Sequence, residues 1–138
     1  MDKEAAAREC YRILRGGGRF CMRTCTRDVV YRQACFFPAM LPMLQADLPS
    51  AAEIIALFEA AGLKCRTHEC VSQVLATDWQ QFADKLALRA DSFLARLADE
   101  EFTAGMTRLY AHLREMSLNP SPTRSISSSS SDDCNRAV

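Results

Sequence analysis

The side chains of this sequence that could bind a metal ion or react as nucleophiles include seven cysteines and two histidines. Cys21 and Cys25 lie four residues apart, which in a strand puts both thiols on one side but about 13 Å from each other. That separation is too long for two ligands of one ion. Cys65, His68 and Cys70 could approach a zinc site if looped, but no second ligand pair is near them. We therefore predict no metal site.

His68 and His112 are the residues whose ordinary pKa lies near neutrality, so either could exchange protons in catalysis. Neither has a serine or cysteine arranged around it as a catalytic triad. His112 falls within a helical pattern, where an exposed position is expected. We therefore assign a catalytic role to neither histidine, and the catalytic residues stay unknown at this point.

The composition and the net charge indicate what kind of protein this is. The chain has 138 residues, of which 49% are hydrophobic and 25% charged, as expected of one globular domain. Its 17 basic and 17 acidic residues cancel, so no overall positive field attracts nucleic acid or anionic lipid. The charge is uneven, because residues 1–37 carry eight basic and four acidic side chains. We expect neither nucleic acid nor membrane as a partner.

The first residues and the cysteine count predict a cytoplasmic protein. No apolar run approaches the roughly 18 to 20 residues of a membrane span. Asp2, Lys3 and Glu4 place charge where an export signal would have apolar residues. Without export, an odd set of seven cysteines is expected to consist of reduced thiols rather than a disulfide framework.

The sequence of the first quarter of the chain predicts a helix, a turn and a strand. Apolar side chains recur every three or four positions over residues 2–15, which predicts a helix. Gly16-Gly17-Gly18 then ends it, because glycine adopts the left-handed conformation common after a helix. Residues 19–26 mix apolar and polar side chains in alternation, which favours a strand covered on both faces.

The central part of the chain predicts a packed loop, a helix and a second strand. Phe36-Phe37-Pro38 lies in a loop over residues 27–49 that supplies large apolar groups. Ser50 and Glu53 form the pattern of a capping box, and Gly62 follows the apolar stripe of the helix that they start. Residues 63–75 alternate weakly, which predicts a second strand.

The last third predicts two helices and a tail. Asp78 can cap a long helix whose apolar stripe continues to Leu97, and Asp99 begins another. Such stripes usually pack into a core, although they can also dock a partner. Residues 117–138 are rich in serine and poor in apolar side chains, so we expect a disordered tail.

The run EAAARECYRILRGGGRF, residues 4–20, resembles the "E-x3-R-x-L-x-P-G-G-x-hydrophobic" passage of class I S-adenosylmethionine-dependent methyltransferases of the type 11 group. That passage joins the fourth crossover helix to the fifth strand of a doubly wound sheet. Gly16 stands where the family has proline. The similarity covers nearly all of residues 2–116 and continues, in order, through Arg23-Thr24, Phe36-Phe37-Pro38, Leu48-Pro49-Ser50, Ala60-Ala61-Gly62-Leu63, Val71-x-Gln73 and residues 85–94.

The resemblance implies an α/β fold, namely a partial doubly wound, Rossmann-like sheet that is mostly helical. Residues 1–116 would form the carboxyl-side half of the methyltransferase domain, with a helical insertion at 78–116. The family binds S-adenosylmethionine with a G-x-G-x-G turn after its first strand, and this sequence contains no such turn. Its triple glycine follows a helix and precedes a strand, the reverse of a nucleotide-binding turn. We expect no cofactor binding and no activity from this chain alone.

The resemblance also implies where a substrate would bind. Arg23 and Thr24 follow at the carboxyl end of the first predicted strand, the side on which open α/β sheets bind ligands. Phe36 and Phe37 come next, so these four residues are the candidate substrate-binding set for a small-molecule methyl acceptor. The alternative for the two phenylalanines is that they anchor the core.

A second hypothesis is a non-catalytic interaction module. The family's final antiparallel strand is not apparent after Met116, which would leave the two predicted strands paired directly or with open edges. An open sheet edge, or the helices of 78–116, could then dock a second copy or a complementing chain.

Overall fold

The structure is a computed structural model that describes residues 2–29, 31–118 and 126–127. The chain divides into two compact units, unit 1 (Met1–Val29 and Leu48–Glu69) and unit 2 (Val30–Asp47 and Cys70–Val138). The helices of the described residues are α1 (Lys3–Ile13), α2 (Leu41–Asp47), α3 (Ala51–Ala60), α4 (Trp79–Ala87) and α5 (Asp99–Leu118). Short 3-10 turns cover Arg32–Cys35, Pro38–Met40 and Leu94–Arg96, and the strands are β1 (Val74–Ala76) and β2 (Ile126–Ser127).

Helix α1 begins where the sequence predicts, but it ends at Ile13, before the predicted end at Arg15. The Asp2 carboxylate accepts a hydrogen bond of 2.8 Å from the Ala5 N–H, which satisfies a backbone group left open at the helix start. After the helix, the Gly18 N–H donates to the Arg15 carbonyl at 2.8 Å. Gly17 lies between them with φ +77°, the positive angle that a type II turn requires at its third position. The predicted glycine turn is confirmed.

Helix α3 is fixed by local contacts at both ends. Ser50 and Glu53 form the predicted capping box, in which each side chain accepts a hydrogen bond from the other's backbone N–H. At the far end Gly62 has φ +97°, and its N–H donates to the Glu59 carbonyl at 2.9 Å. The Leu63 N–H donates to the Phe58 carbonyl at 3.1 Å, which completes a Schellman motif. Helix α3 packs against α1.

The two strands predicted from alternation are largely absent. Residues 19–26 carry no assigned strand, and of residues 63–75 only Val74 and Leu75 belong to β1. Strand β1 pairs antiparallel with β2, with Val74 opposite Ser127 and Ala76 opposite Ile126. A strand needs hydrogen bonds from a neighbouring strand. Among the described residues no strand pairs with residues 19–26, so alternation alone does not produce a strand.

The prediction of one long helix from Asp78 to Leu97 is wrong. Helix α4 starts as expected, with the Asp78 carboxylate accepting from the Gln81 N–H at 2.8 Å, but it ends at Ala87. Arg89 then adopts φ +52°, which a helix cannot contain. The Asp91 carboxylate accepts from the N–H groups of Phe93 and Leu94 at 2.8 and 3.2 Å, and a 3-10 turn begins there.

The core of unit 2 lies where α4 and α5 pack against each other and against the loop before α2. The largest side chains that are fully buried are Phe37, Met40, Leu94 and Leu109. Gly105 of α5 lies directly against the Phe37 ring, since a Cβ placed there would be 2.1 Å from ring carbon Cδ1. The apolar stripes of α4 and α5 therefore serve as core.

One segment of the described residues, Pro38–Ala60, is long and apolar enough to cross a membrane, with a mean hydropathy of 1.2. This differs from the expectation that no apolar run approaches that length. The helical backbone is interrupted within it, because α2 ends at Asp47 and Ser50 has φ −76° and ψ 160°. The segment is thus two short helices rather than one continuous span.

The cysteines follow the reduced-thiol expectation in part. Cys10, Cys21, Cys25, Cys65 and Cys70 are free thiols. Cys35 is disulfide-bonded, so the expectation is wrong at that position. The tail predicted to be disordered, 117–138, lies outside the described residues except for the end of α5 and the two residues of β2.

Candidate functional site

Two of the four candidate substrate residues lie on the surface of unit 1. Arg23 and Thr24 are both exposed, in the segment without assigned secondary structure that follows the glycine turn. The Thr24 hydroxyl donates to the Cys25 carbonyl at 3.4 Å, a long contact that leaves the side chain accessible. Both residues can therefore meet a ligand from solvent.

Phe36 and Phe37 are core residues of unit 2. Their exposed fractions are 3% and 1%, which confirms the interpretation that they are anchors. The Phe37 ring stacks on Phe102 with centroids 5.7 Å apart. The four candidate residues thus belong to two different units, and neither unit alone contains them all.

Phe36 belongs to an aromatic cluster that the sequence did not reveal. Its ring meets Trp79 edge-on at 5.9 Å and His112 at 5.6 Å. Trp79 also contacts His112 at 4.7 Å and Phe82 at 5.8 Å, both with T-shaped geometry. The expectation that His112 is an exposed helix residue is wrong, since it is half-buried in this cluster.

Two arginines border the aromatic cluster. Arg32 is only 5% exposed, and its guanidinium carbon lies 5.6 Å from the centre of the Trp79 ring. Arg108 donates from Nε to the Phe36 carbonyl at 2.8 Å. These contacts order the loop that contains Phe36, and the cluster brings together ring faces and fixed cations rather than a nucleophile and a base. The aromatic cluster therefore serves packing. In the sequence it is indicated only by the spacing of three between Trp79 and Phe82 on one helix.

An ion-pair network holds residues 27–28 of unit 1 to the start of α3. Arg27 binds the Glu53 carboxylate at 2.5 Å and the Leu48 carbonyl at 3.1 Å. Asp28 accepts from the Ala51 N–H at 2.6 Å. The Ser50 backbone N–H, followed by Arg27, lowers the pKa of Glu53, because both stabilise its ionised form.

A shallow, open groove of about 400 Å³ lies at the end of α3 in unit 1. It is lined by Glu59, Gly62, Leu63, Lys64 and Cys65. His68 is exposed nearby in sequence. Within the described part of the chain, no group of three histidine, cysteine or acidic side chains could hold a metal ion.

Comparison with known proteins gives no relative: no family model matches the sequence, and no curated protein and no solved structure is similar to it. What can be said of function therefore depends on the residues and contacts of this chain.

Proposed function

We propose that this chain is the carboxyl-side portion of a class I S-adenosylmethionine-dependent methyltransferase, with a partial doubly wound fold. Its complete form would transfer a methyl group to a small molecule. The supporting observation is the order of elements in unit 1. Helix α1 is followed by a glycine turn, and the next segment packs on α3 through Phe20 and Phe58, whose rings lie 5.0 Å apart. The resembled family has its fourth crossover helix, a glycine turn and its fifth strand in this order.

The exposed apolar side chains of residues 19–26 fit this proposal. Phe20 and Met22 are two residues apart, as apolar residues on one face of a strand are, yet their side chains are 43% and 48% exposed. Helices packed on the faces of a sheet would cover such side chains, and neighbouring strands would supply hydrogen bonds to the backbone between them. In the proposed complete domain, those strands come from the half that carries the G-x-G-x-G turn, a motif that these residues lack.

In this proposal catalysis depends on positioning. The cofactor supplies an electrophilic methyl group on sulfur, and the protein holds the acceptor in line with it. The exposed Arg23 and Thr24 offer a guanidinium and a hydroxyl that can bind acceptor oxygens. Phe36 and Phe37 act through the loop that they anchor, since both side chains are buried.

The experiment compares two lengths of the same gene product. S-adenosylhomocysteine is titrated calorimetrically into the 138-residue chain and into the longest in-frame chain that contains it. We expect no binding by the first. We expect micromolar binding by the second, with transfer of a labelled methyl group from S-adenosylmethionine to a pool of small-molecule acceptors. Micromolar binding by the 138-residue chain, or a longer frame without a G-x-G-x-G turn, would contradict the proposal.

A second candidate function is a non-catalytic interaction module, and the surface of α3 favours it. Eight of the ten residues in α3 are apolar, yet none is fully buried. Val71 and Val74, beside and within β1, are 69% and 59% exposed. Covering such side chains with a second chain would stabilise both partners. Light scattering on a size-exclusion column tests this candidate: a homodimer or a stable complex supports it, and a strict monomer that unfolds cooperatively contradicts it.

A further inference from the structure

Arginine is the one basic residue type in the first part of unit 1 after Lys3. Six arginines lie between residues 8 and 27, and no acidic residue occurs from 10 to 27. Within this run, Arg12 pairs with Glu9 at 2.6 Å and Arg27 with Glu53 at 2.5 Å. Between them, Arg15 and Arg19 flank the glycine turn and are exposed. The zero net charge of the whole chain therefore conceals a local positive surface.

Two exposed aromatic rings lie within this run. Tyr11 is 54% exposed and lies against Gly62, where a Cβ would be 3.1 Å from its ring. Phe20 is 43% exposed and packs on Phe58. Because Phe58 and Gly62 are four residues apart at the end of α3, the two rings are supported about one helical turn apart.

We propose that this surface, formed by Tyr11, Arg15, Arg19, Phe20 and Lys64, binds single-stranded nucleic acid. Tyr11 and Phe20 stack on neighbouring bases, and the arginines pair with the phosphates that join them. Lys64, which lines the groove beside Gly62, supplies the third cation, while Glu59 on the same groove carries the opposite charge and does not contribute to phosphate binding. This inference does not depend on the methyltransferase proposal.

The composition of this run favours a nucleic acid over an anionic membrane. All the cations from residue 8 to residue 27 are arginine, whose planar guanidinium binds phosphate through two hydrogen bonds and stacks on rings. Membrane attraction needs only charge and does not distinguish arginine from lysine. A paired duplex is disfavoured as well, since stacking on Tyr11 and Phe20 requires unpaired bases.

The experiment is fluorescence anisotropy with a labelled 12-residue oligothymidylate and the full 138-residue chain. With about three phosphates bound, the plot of log K against log salt should fall with a slope of about −2. The double variant Arg15→Ala/Arg19→Ala should weaken binding at least tenfold at 50 mM salt and reduce the slope to about −0.7. Both arginines are exposed, so the variant should unfold at the same denaturant concentration as the wild type.

Three further measurements decide the outcome. Lys3→Ala/Arg114→Ala removes the same charge from exposed positions elsewhere and should change the affinity less than threefold. Tyr11→Leu should weaken binding to the oligonucleotide about tenfold but leave binding to inorganic polyphosphate unchanged, because polyphosphate has no bases. Absence of oligonucleotide binding at 50 mM salt, an equal loss in the control variant, or binding to phosphatidylserine vesicles alone would overturn the proposal.

Discussion

Replacing Gly105 by alanine tests how tightly α5 packs on Phe37. A Cβ at this position would lie 2.1, 2.3 and 2.9 Å from three carbons of the Phe37 ring. Carbon atoms in good contact are about 3.5 to 4.0 Å apart, so the overlap exceeds 1 Å. The ring cannot move away freely, because it is 1% exposed and stacked on Phe102.

The expected change in the free energy of unfolding combines two opposing terms. Overpacking of a core costs typically about 1 to 3 kcal/mol, and the severe overlap here favours the upper end. Alanine offsets about 1 kcal/mol of this cost, because its helix propensity is higher than that of glycine. We therefore expect Gly105→Ala to destabilise the protein by about 2 kcal/mol, as measured by urea denaturation followed by circular dichroism.

Two comparisons isolate the clash from the helix propensity. Ala111→Gly, at an exposed position of the same helix, should cost about 1 kcal/mol through propensity alone. In a Phe37→Leu background, the smaller side chain leaves room, so Gly105→Ala should become neutral or stabilising. If Gly105→Ala stabilises the wild-type chain by about 1 kcal/mol, the packing of Phe37 on α5 described above is wrong.

Two further predictions concern the loop after α4 and the cap of α3. Arg89→Ala should destabilise the chain by about 1 to 3 kcal/mol in urea, because Arg89 donates to the part-buried carbonyls of Leu94 and Leu97. Arg89→Gly should lower the free energy of unfolding less than Arg89→Ala, since glycine tolerates φ +52° without strain, and equal losses of stability would contradict that reasoning. The folded-state pKa of Glu53 is below its ordinary 4.5. The contribution of Glu53 to stability is therefore complete above that pH and disappears as the pH falls through the lowered value. Glu53→Gln should therefore flatten the acid limb of the unfolding free energy below about pH 4.5, while Arg27→Gln should flatten it less, since the Ser50 N–H is the larger cause.

The sequence determines those features that depend on residues close together in the chain. The capping box of Ser50 and Glu53 and the cap at Asp78 each join groups three residues apart. Gly62 ends α3 and Gly17 forms the turn after α1, and both have positive φ angles that glycine adopts at little cost. Hydrogen bonds of this range are set by the local sequence, so they could be predicted without knowing the fold.

Only the tertiary structure decided the elements that need distant partners. The alternation of residues 19–26 was visible, but a strand forms only where another strand lies beside it, as β2 lies beside β1. The apolar stripe from Asp78 to Leu97 looked continuous, yet the chain turns at Arg89, whose guanidinium binds carbonyls five and eight residues on.

The candidate site also has features that the sequence predicts and others that depend on the fold. The sequence placed Arg23 and Thr24 after a glycine turn, and it offered burial as one of two interpretations of Phe36 and Phe37. The contact of His112 with Phe36 joins residues far apart in the chain, and no spacing rule connects them. Local hydrogen bonds can be read in order along a sequence, whereas the packing of one ring on another depends on how the whole chain folds back on itself.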